Sequence, residues 1–159
     1  MTSDTVTKNI VVGIDGSNAS IAALRYAIRE GLARHAPVEV VHAWHAHTAR
    51  DVAFGSPHEL QRGSICMLQN EVSAARHEFA ETPEITESSV HGRATHVLLE
   101  KSHQAQLLVL GVHPAARRDV LVGDVVSALR KKAACPVVVV DAEQNVVSTD
   151  SPRAAATTF

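Results

Sequence analysis

Four short apolar runs and one alternating segment are spaced along the chain, and stretches with helical periodicity separate them. The apolar runs cover residues 10–14, 38–44, 107–110 and 137–140, and the alternating segment covers residues 85–91. The last two runs consist of β-branched residues and Leu without polar alternation, which is typical of strands that are covered on both faces. The pattern therefore predicts a parallel sheet with helices on each side and the alternating segment at an edge.

Apolar side chains recur at spacings of three and four between these strands, which predicts four helices. The first helix ends before Pro37 and the second before Pro83. The inward stripe of the second helix is the most regular and consists of Ile65, Leu68, Val72, Ala75 and Phe79. A helix follows from Gly92 to His103, and another begins near Gly123. Five strands that alternate with four helices through right-handed crossovers give a three-layer, doubly wound α/β domain with a parallel sheet.

Composition and charge narrow the class of protein. With 159 residues, 45% of them hydrophobic and 20% charged, the chain has the size of one soluble domain. The net charge of −2 argues against nucleic acid or an anionic membrane as a partner, and no apolar run approaches the ~18 residues of a membrane span. No signal peptide or disulfide framework is recognisable, so we expect a cytoplasmic protein. We expect an extension at residues 1–9, the domain at 10–141 and a disordered polar tail at 142–159.

Two strands end in segments that are suited to binding a ligand. Asp15 follows the first strand in a turn rich in helix-capping side chains, and Gly111 opens the loop after the fourth strand. Gly123 begins the next helix, whose N-terminal N–H groups attract anions. Sheets of this type bind ligands at the carboxyl ends of their strands, where the strand order reverses. Two plainer interpretations stay open, in which Asp15 caps the first helix with Ser17 and the glycines form an ordinary turn and helix start.

Several motifs, in this order, resemble the universal stress protein family over residues 8–141. They are the Val-Gly-Ile-Asp-Gly-Ser opening at residues 12–17, the glycines after the fourth strand, and the Cys-Pro pair before the Val-rich fifth strand. The resemblance implies the strand order 3-2-1-4-5 and a crevice between strands 1 and 4. It also implies that Asp15 faces ATP or another adenine nucleotide with Mg²⁺, and that the loop after Gly111 cradles the phosphates.

The phosphate loop departs from the family's pattern of Gly, two residues, Gly, nine residues and Gly-Ser/Thr. Pro114 occupies the second glycine position and lacks an N–H donor, only eight residues separate it from Gly123, and Asp124 replaces the hydroxyl residue. A carboxylate about 4 Å from a phosphate charge costs on the order of 4 kcal/mol at an effective dielectric of about 20, or about three decades of affinity. Arg117 and Arg118 either offset this cost by binding phosphate or are solvated. We therefore expect ATP binding to be weak or lost.

The adenine side of the crevice does not depend on these changes. Backbone groups near Ala43, at the end of the second strand, and beside Asp15 are expected to contact the adenine. The candidate nucleotide-binding residues are Asp15, Ala43, Gly111, Gly123, Asp124 and Val125.

The predicted function is that of a universal-stress-type binding or regulatory protein in the stress response. No catalytic residues are predicted, because the chain has no nucleophile elbow, no P-loop and no Gly-x-Gly-x-x-Gly after the first strand. The alternative is an ATP-binding member with weak hydrolase or nucleotide-sensor activity that uses Asp15 and a divalent metal.

Histidines and one cysteine carry further alternatives. His42, His45 and His47, near the end of the second strand, suggest a transition-metal site, but no metal-binding motif accompanies them, and no metal site is predicted. Cys135 is either redox-active or, in the interpretation that we adopt, a buried packing thiol.

The fifth strand, Val137–Val140, is predicted to lie at an edge of the sheet, where unpaired N–H and C=O groups need a partner. The resemblance implies a homodimer through the last strand, in which strand 5 meets its own copy antiparallel about a two-fold axis. The alternative is a monomer whose C-terminal tail folds back over this edge.

Overall fold

Strands and helices alternate along the chain as the sequence predicts, as far as the fifth strand. The computed structural model describes residues 6–46, 53, 55–112 and 123–152. The strands are β1 (Asn9–Gly13), β2 (Val38–Trp44), β3 (Ile85–His91), β4 (Ala105–Gly111), β5 (Val137–Val140) and β6 (Val146–Asp150). The helices are α1 (Asn18–Arg34), α2 (Pro57–Glu78), α3 (Ala94–Ser102) and α4 (Gly123–Lys132). None of the described helices is long and apolar enough to cross a membrane.

The strands form a six-stranded sheet in the order β3-β2-β1-β4-β5-β6. Strands β1 to β5 are parallel, and Val12 of β1 lies between Val40 of β2 and Val109 of β4. The predicted order 3-2-1-4-5 and the edge position of β3 are therefore confirmed. The strand order reverses between β1 and β4. The chain therefore leaves β1 towards one face of the sheet and leaves β4 towards the other face, and a crevice lies between these two connections.

The C-terminal segment differs from the prediction. Residues Val146–Asp150, expected to belong to a disordered tail, form β6, which pairs antiparallel with β5 in the register Val137↔Asp150 and Val139↔Ser148. The sheet thus has six strands rather than five, and β5 is not its edge. The tail has few apolar residues, and its composition therefore suggested disorder. It forms a strand because its backbone pairs with N–H and C=O groups of β5 that would otherwise be unpaired, and not because its side chains pack.

Two hydrophobic clusters cover the sheet, one on each face. Helices α1 and α2 pack on the first face, and helices α3 and α4 pack on the second. Fully buried side chains of the first face include Ile10, Val12, Leu24, Ile28 and Leu68. The second face is built around Val11, Val97, Leu98, Leu108 and Leu129. This three-layer arrangement explains why β4 and β5 lack polar alternation.

The buried stripe of α2 is shifted from the predicted one at its first position. Ile65 is 39% exposed, whereas Ser64 is 3% exposed and faces the sheet. The Oγ of Ser64 shares hydrogen bonds of 2.7 Å with Nδ1 of His42 and with Oγ of Ser89. The N-terminal half of α2 lies over the carboxyl ends of β2 and β3, where the inward side chains of these strands are polar. The hydroxyl of Ser64 can form hydrogen bonds with them, and an Ile side chain cannot.

The two cysteines should differ sharply in reactivity. Cys66 is exposed on α2, whereas Cys135 is buried before β5, and burial raises the pKa of its thiol to about 11. Because the thiolate is the reactive form, we expect a thiol reagent at mildly alkaline pH to modify Cys66 quickly and Cys135 only on unfolding. Mass spectrometry of the parent and of Cys66→Ser measures both rates. Fast native labelling of the Cys66→Ser variant would contradict the packing interpretation of Cys135.

Candidate functional site

A cavity of about 290 Å³ opens at the carboxyl ends of β1, β2 and β4, where the strand order reverses. Four of the six predicted site residues, Asp15, Ala43, Gly111 and Val125, line it. Apolar side chains form most of the remaining wall, namely Ile14, Val41, Leu98, Leu110 and Val126. A concave, mostly apolar site with few polar groups is typical of small-molecule pockets.

The other two predicted residues belong to the first turn of α4. This helix begins at Gly123, as the sequence predicts, and Asp124 follows it. Pro114, Arg117 and Arg118 lie outside the described residues. Phosphate repulsion by the Asp124 carboxylate and the contribution of the loop to phosphate binding therefore stay predictions.

Asp15 lies in a turn that hydrogen bonds tie to the start of α1. Its Oδ1 accepts a 2.9 Å bond from the backbone N–H of Ser17, and its own N–H donates to Oγ of Ser20 at 3.2 Å. Ser17 is the N-cap of α1 and accepts from the N–H of Ser20 at 3.2 Å. Gly16, with φ of +82°, makes the sharp turn possible. The capping interpretation of Asp15 is thus modified, because Asp15 holds the turn while Ser17 caps the helix.

Competing effects set the charge of Asp15. Partial burial by itself would raise the pKa of the carboxyl, but the hydrogen bonds from Ser17 and Ser20 outweigh it, and the pKa lies below its ordinary value. The stabilisation that these bonds give is present above the unfolded-state pKa and is lost as pH falls through the lower, folded-state pKa. At neutral pH the cavity therefore has an ionised carboxylate on its wall.

Gly111 is required by packing between two backbones. A Cβ built at this position would lie 2.4 Å from the carbonyl carbon of Ala19 and 2.6 Å from the backbone nitrogen of Ser20. Only glycine therefore lets the end of β4 approach the first turn of α1 this closely. Neither phosphate approach nor an ordinary turn is needed to account for this residue.

Two polar residues on the cavity wall, Ser20 and His42, are not among the predicted site residues. The position of His42 next to Ala43, at the end of a parallel strand, was the signal that could have found it. His42 and Ser64, in contact at 2.7 Å, are the residue types of a catalytic Ser-His pair. Ser64 is 3% exposed and its oxygen is also shared with Ser89, so no substrate reaches it as a nucleophile.

The metal alternative gains no support from the described part of the chain. His42 contacts Ser64, and His47 lies outside the described residues. Among the described residues, no group of three or more His, Cys, Asp or Glu side chains is arranged to hold a metal ion.

A family comparison identifies the chain. The model of the universal stress protein family matches residues 7–141, which include every strand of the parallel sheet and the whole cavity wall. The chain belongs to the universal stress protein family. The resemblance noted from the motifs around Asp15 and Gly111 is thereby confirmed.

Curated relatives agree with this assignment. The universal stress proteins Rv2623 and Rv2624c of Mycobacterium tuberculosis are 30% and 29% identical over 161 and 150 residues, which cover 92% and 90% of this universal stress protein. The same alignments cover 52% of each relative. The chain therefore spans about half the length of the curated relatives that it matches.

Solved structures share the fold. A universal stress protein in complex with cAMP superposes with a TM-score of 0.63 at 22% identity and covers 86% of this chain and 98% of its own. The protein from Archaeoglobus fulgidus in complex with dAMP gives 0.61 at 23%, with coverage of 85% and 98%. UspA from Lactobacillus plantarum gives 0.65 at 22%, with coverage of 83% and 96%. At these identities the likeness shows the fold alone.

The contact between β4 and α1 can be tested with two glycine substitutions. Gly111→Ala should lower the free energy of unfolding by about 2 kcal/mol or more, because its Cβ would overlap the backbone of α1. Gly63→Ala is the control, since nothing lies within 4 Å of a Cβ there. This change, inside α2, should raise stability by about 0.5–1 kcal/mol. Urea denaturation measures the free energy of unfolding of both variants. A change in Gly111→Ala as small as that in Gly63→Ala would contradict the packing role of Gly111.

Proposed function

We propose that this universal stress protein binds an adenine nucleoside or nucleoside monophosphate in the β1/β4 crevice and acts as a binding or regulatory protein in the stress response. The observation that carries the proposal is an apolar cavity at the reversal of strand order with the ionised Asp15 carboxylate on its wall. The relatives solved with cAMP and dAMP support the choice of ligand class.

The size and chemistry of the cavity favour the adenosine part of a nucleotide. Its volume of about 290 Å³ lies at the lower end of the ~300–1,000 Å³ range of small-molecule pockets. The apolar side chains of Val41, Leu110 and Val126 offer surfaces for a flat base. A carboxylate accepts hydrogen bonds only, so Asp15 suits the hydroxyl donors of a ribose or the amino group of adenine.

A phosphate chain fits this site less well than adenosine. Asp124, in the first turn of α4, is expected to place a negative charge where the helix N-terminus would otherwise attract phosphate. Mg²⁺ sites in nucleotide-binding proteins combine one or two carboxylates with phosphate oxygens. Of the described wall residues only Asp15 has a carboxylate, and it also holds the α1 turn, so Mg²⁺ would need oxygens from the nucleotide.

Binding by Asp15 can be tested by calorimetry with AMP, cAMP and ATP. Asp15→Asn should weaken adenosine-dependent binding by about one to two decades, because a charge-assisted hydrogen bond contributes about 1.5–3 kcal/mol. The amide oxygen of Asn can still accept the Ser17 bond, so the fold should persist.

Ser17→Ala is the matched control for Asp15→Asn. It removes the helix cap, at a cost of about 1 kcal/mol in stability, but keeps the carboxylate and should keep the affinity. Unchanged affinity in Asp15→Asn would contradict the proposed site. Robust ATP turnover with Mg²⁺ by the parent would instead support the hydrolase alternative.

The proposed phosphate repulsion has a separate test. Asp124→Ser should raise the affinity for ATP by up to about three decades and leave that for adenosine unchanged, because only the phosphate interacts with the charge. Glu81→Ser makes the same change of charge before β3, at the opposite end of the sheet, and should have no effect. Micromolar ATP binding by the parent, or no gain in Asp124→Ser, would show the repulsion argument to be wrong.

A further inference from the structure

Ser20 is a buried polar residue on the wall of the crevice. It lies in the first turn of α1 and is 4% exposed. A buried hydroxyl lowers stability unless it is hydrogen-bonded. The Oγ of Ser20 donates to the carbonyl of Ser17 at 2.9 Å and accepts from the N–H of Asp15 at 3.2 Å. A hydroxyl has one proton, so both the donor and one acceptor site of Ser20 are used within the β1–α1 turn.

Ser17 and Ser20 hold different parts of Asp15. The N–H of Ser17 donates to the carboxylate Oδ1, and the hydroxyl of Ser20 accepts from the backbone N–H. The turn between them contains Gly16 in the left-handed conformation, and glycine restrains the backbone less than any other residue. The direction in which Asp15 presents its carboxylate therefore depends on the bond from its backbone to Ser20.

The backbone of Ser20 is itself fixed by the contact between β4 and α1. A Cβ at Gly111 would lie 2.6 Å from the backbone nitrogen of Ser20, so the two backbones are packed tightly. The N–H of Ser20 also donates to the hydroxyl of Ser17 at 3.2 Å. The hydroxyl of Ser20 thus connects a rigid part of the fold to the turn that contains Asp15.

We propose that Ser20 is a positioning residue of the nucleotide site, and that its hydroxyl holds Asp15 in the orientation that presents the carboxylate to the ligand. Ser20 acts on the ligand through Asp15 and not by direct contact. The effect on affinity rests on the proposed function, whereas the orientation of Asp15 can be measured without a ligand.

The charge state of Asp15 supports this role. Burial by itself would raise the pKa of the carboxyl, but hydrogen bonds from Ser17 and Ser20 lower the pKa below its ordinary value. Removal of the Ser20 hydroxyl should therefore raise the pKa of Asp15.

Ser102 provides a matched control at the opposite end of the sheet. This residue, the last of α3, is 1% exposed and does not line the crevice. Its hydroxyl donates to the carbonyl of Leu99 at 2.6 Å and accepts from the N–H of Ala134 at 3.0 Å. Both serine hydroxyls thus donate to the carbonyl three residues earlier and accept from a backbone N–H outside their own helix, and only Ser20 is bonded to Asp15.

The first test compares Ser20→Ala with Ser102→Ala by NMR in the absence of ligand. Ser20→Ala should raise the pKa of the Asp15 carboxyl and speed hydrogen exchange of the Asp15 N–H several-fold, because that N–H loses its acceptor. Ser102→Ala should leave both at the parent values. Ser20→Cys fills nearly the same space with a poor acceptor and should change both in the same direction as Ser20→Ala. Urea denaturation checks that each variant is folded.

The second test measures AMP binding by calorimetry. Ser20→Ala should weaken binding about two- to tenfold, which corresponds to the loss of one neutral hydrogen bond. Ser102→Ala should bind AMP as the parent does. Ser20→Ala combined with Asp15→Asn should bind no more weakly than Asp15→Asn alone, since the carboxylate that Ser20 positions is then absent.

Two results would overturn the proposal. If the folded Ser20 variants keep the parent pKa and amide exchange at Asp15, Ser20 only fills space in the wall. If the losses of affinity from Ser20→Ala and Asp15→Asn add in the double variant, Ser20 contacts the ligand directly. Unchanged AMP affinity in Asp15→Asn would contradict the proposed nucleotide site instead, and the comparison made without ligand would still decide whether Ser20 positions Asp15.

Discussion

The close backbone contact between the end of β4 and the first turn of α1 is the constraint on which the crevice depends. Gly111 has no side chain to separate the two segments, and Ala19 and Ser20 lie directly against it. Ser20 then links this contact to β1, because its hydroxyl accepts from the N–H of Asp15. Backbone packing thus sets the distance between the two walls of the crevice. No bound ligand is needed to hold the walls in place.

The polar groups around the crevice serve mainly to hold its walls. Asp15 and Ser17 complete the β1–α1 turn, and His42 contacts Ser64 beneath α2. What the cavity offers a ligand is therefore one ionised carboxylate, backbone groups and an apolar lining. These groups are suited to recognising and retaining a small molecule, which is the basis of the proposed binding function.

The two edges of the parallel sheet are protected in different ways. On β3 the exposed side chains include Thr86 and Glu87, and a charged residue discourages pairing with another chain. β5 consists of valines alone, because both of its faces are buried under helices, and it has no position for a charged side chain. Its edge must therefore be covered by backbone, which β6 provides within the same chain.

The sequence by itself determined the elements, their order and the place of the crevice. Apolar periodicity and turn residues act over a few neighbours, so β1 to β5, the helices and the Asp15 turn could be predicted from local patterns. The family resemblance supplied the strand order. The presence of Ala43 and Gly111 on one cavity wall follows from that order, since parallel strands bring their carboxyl ends together. Val125 joins them because α4 follows β4 at the same end of the sheet.

Only the tertiary structure decided what each segment meets across space. Ser64 rather than Ile65 is buried because His42 and Ser89 lie opposite it, and no periodicity in α2 records that. Gly111 is needed because of a helix that lies far from it in sequence. The polar segment at residues 146–150 is a strand because the valines of β5 leave a row of unpaired backbone groups beside it. In each case the partner lies in another element, so the physical reason is a contact and not a property of the local sequence.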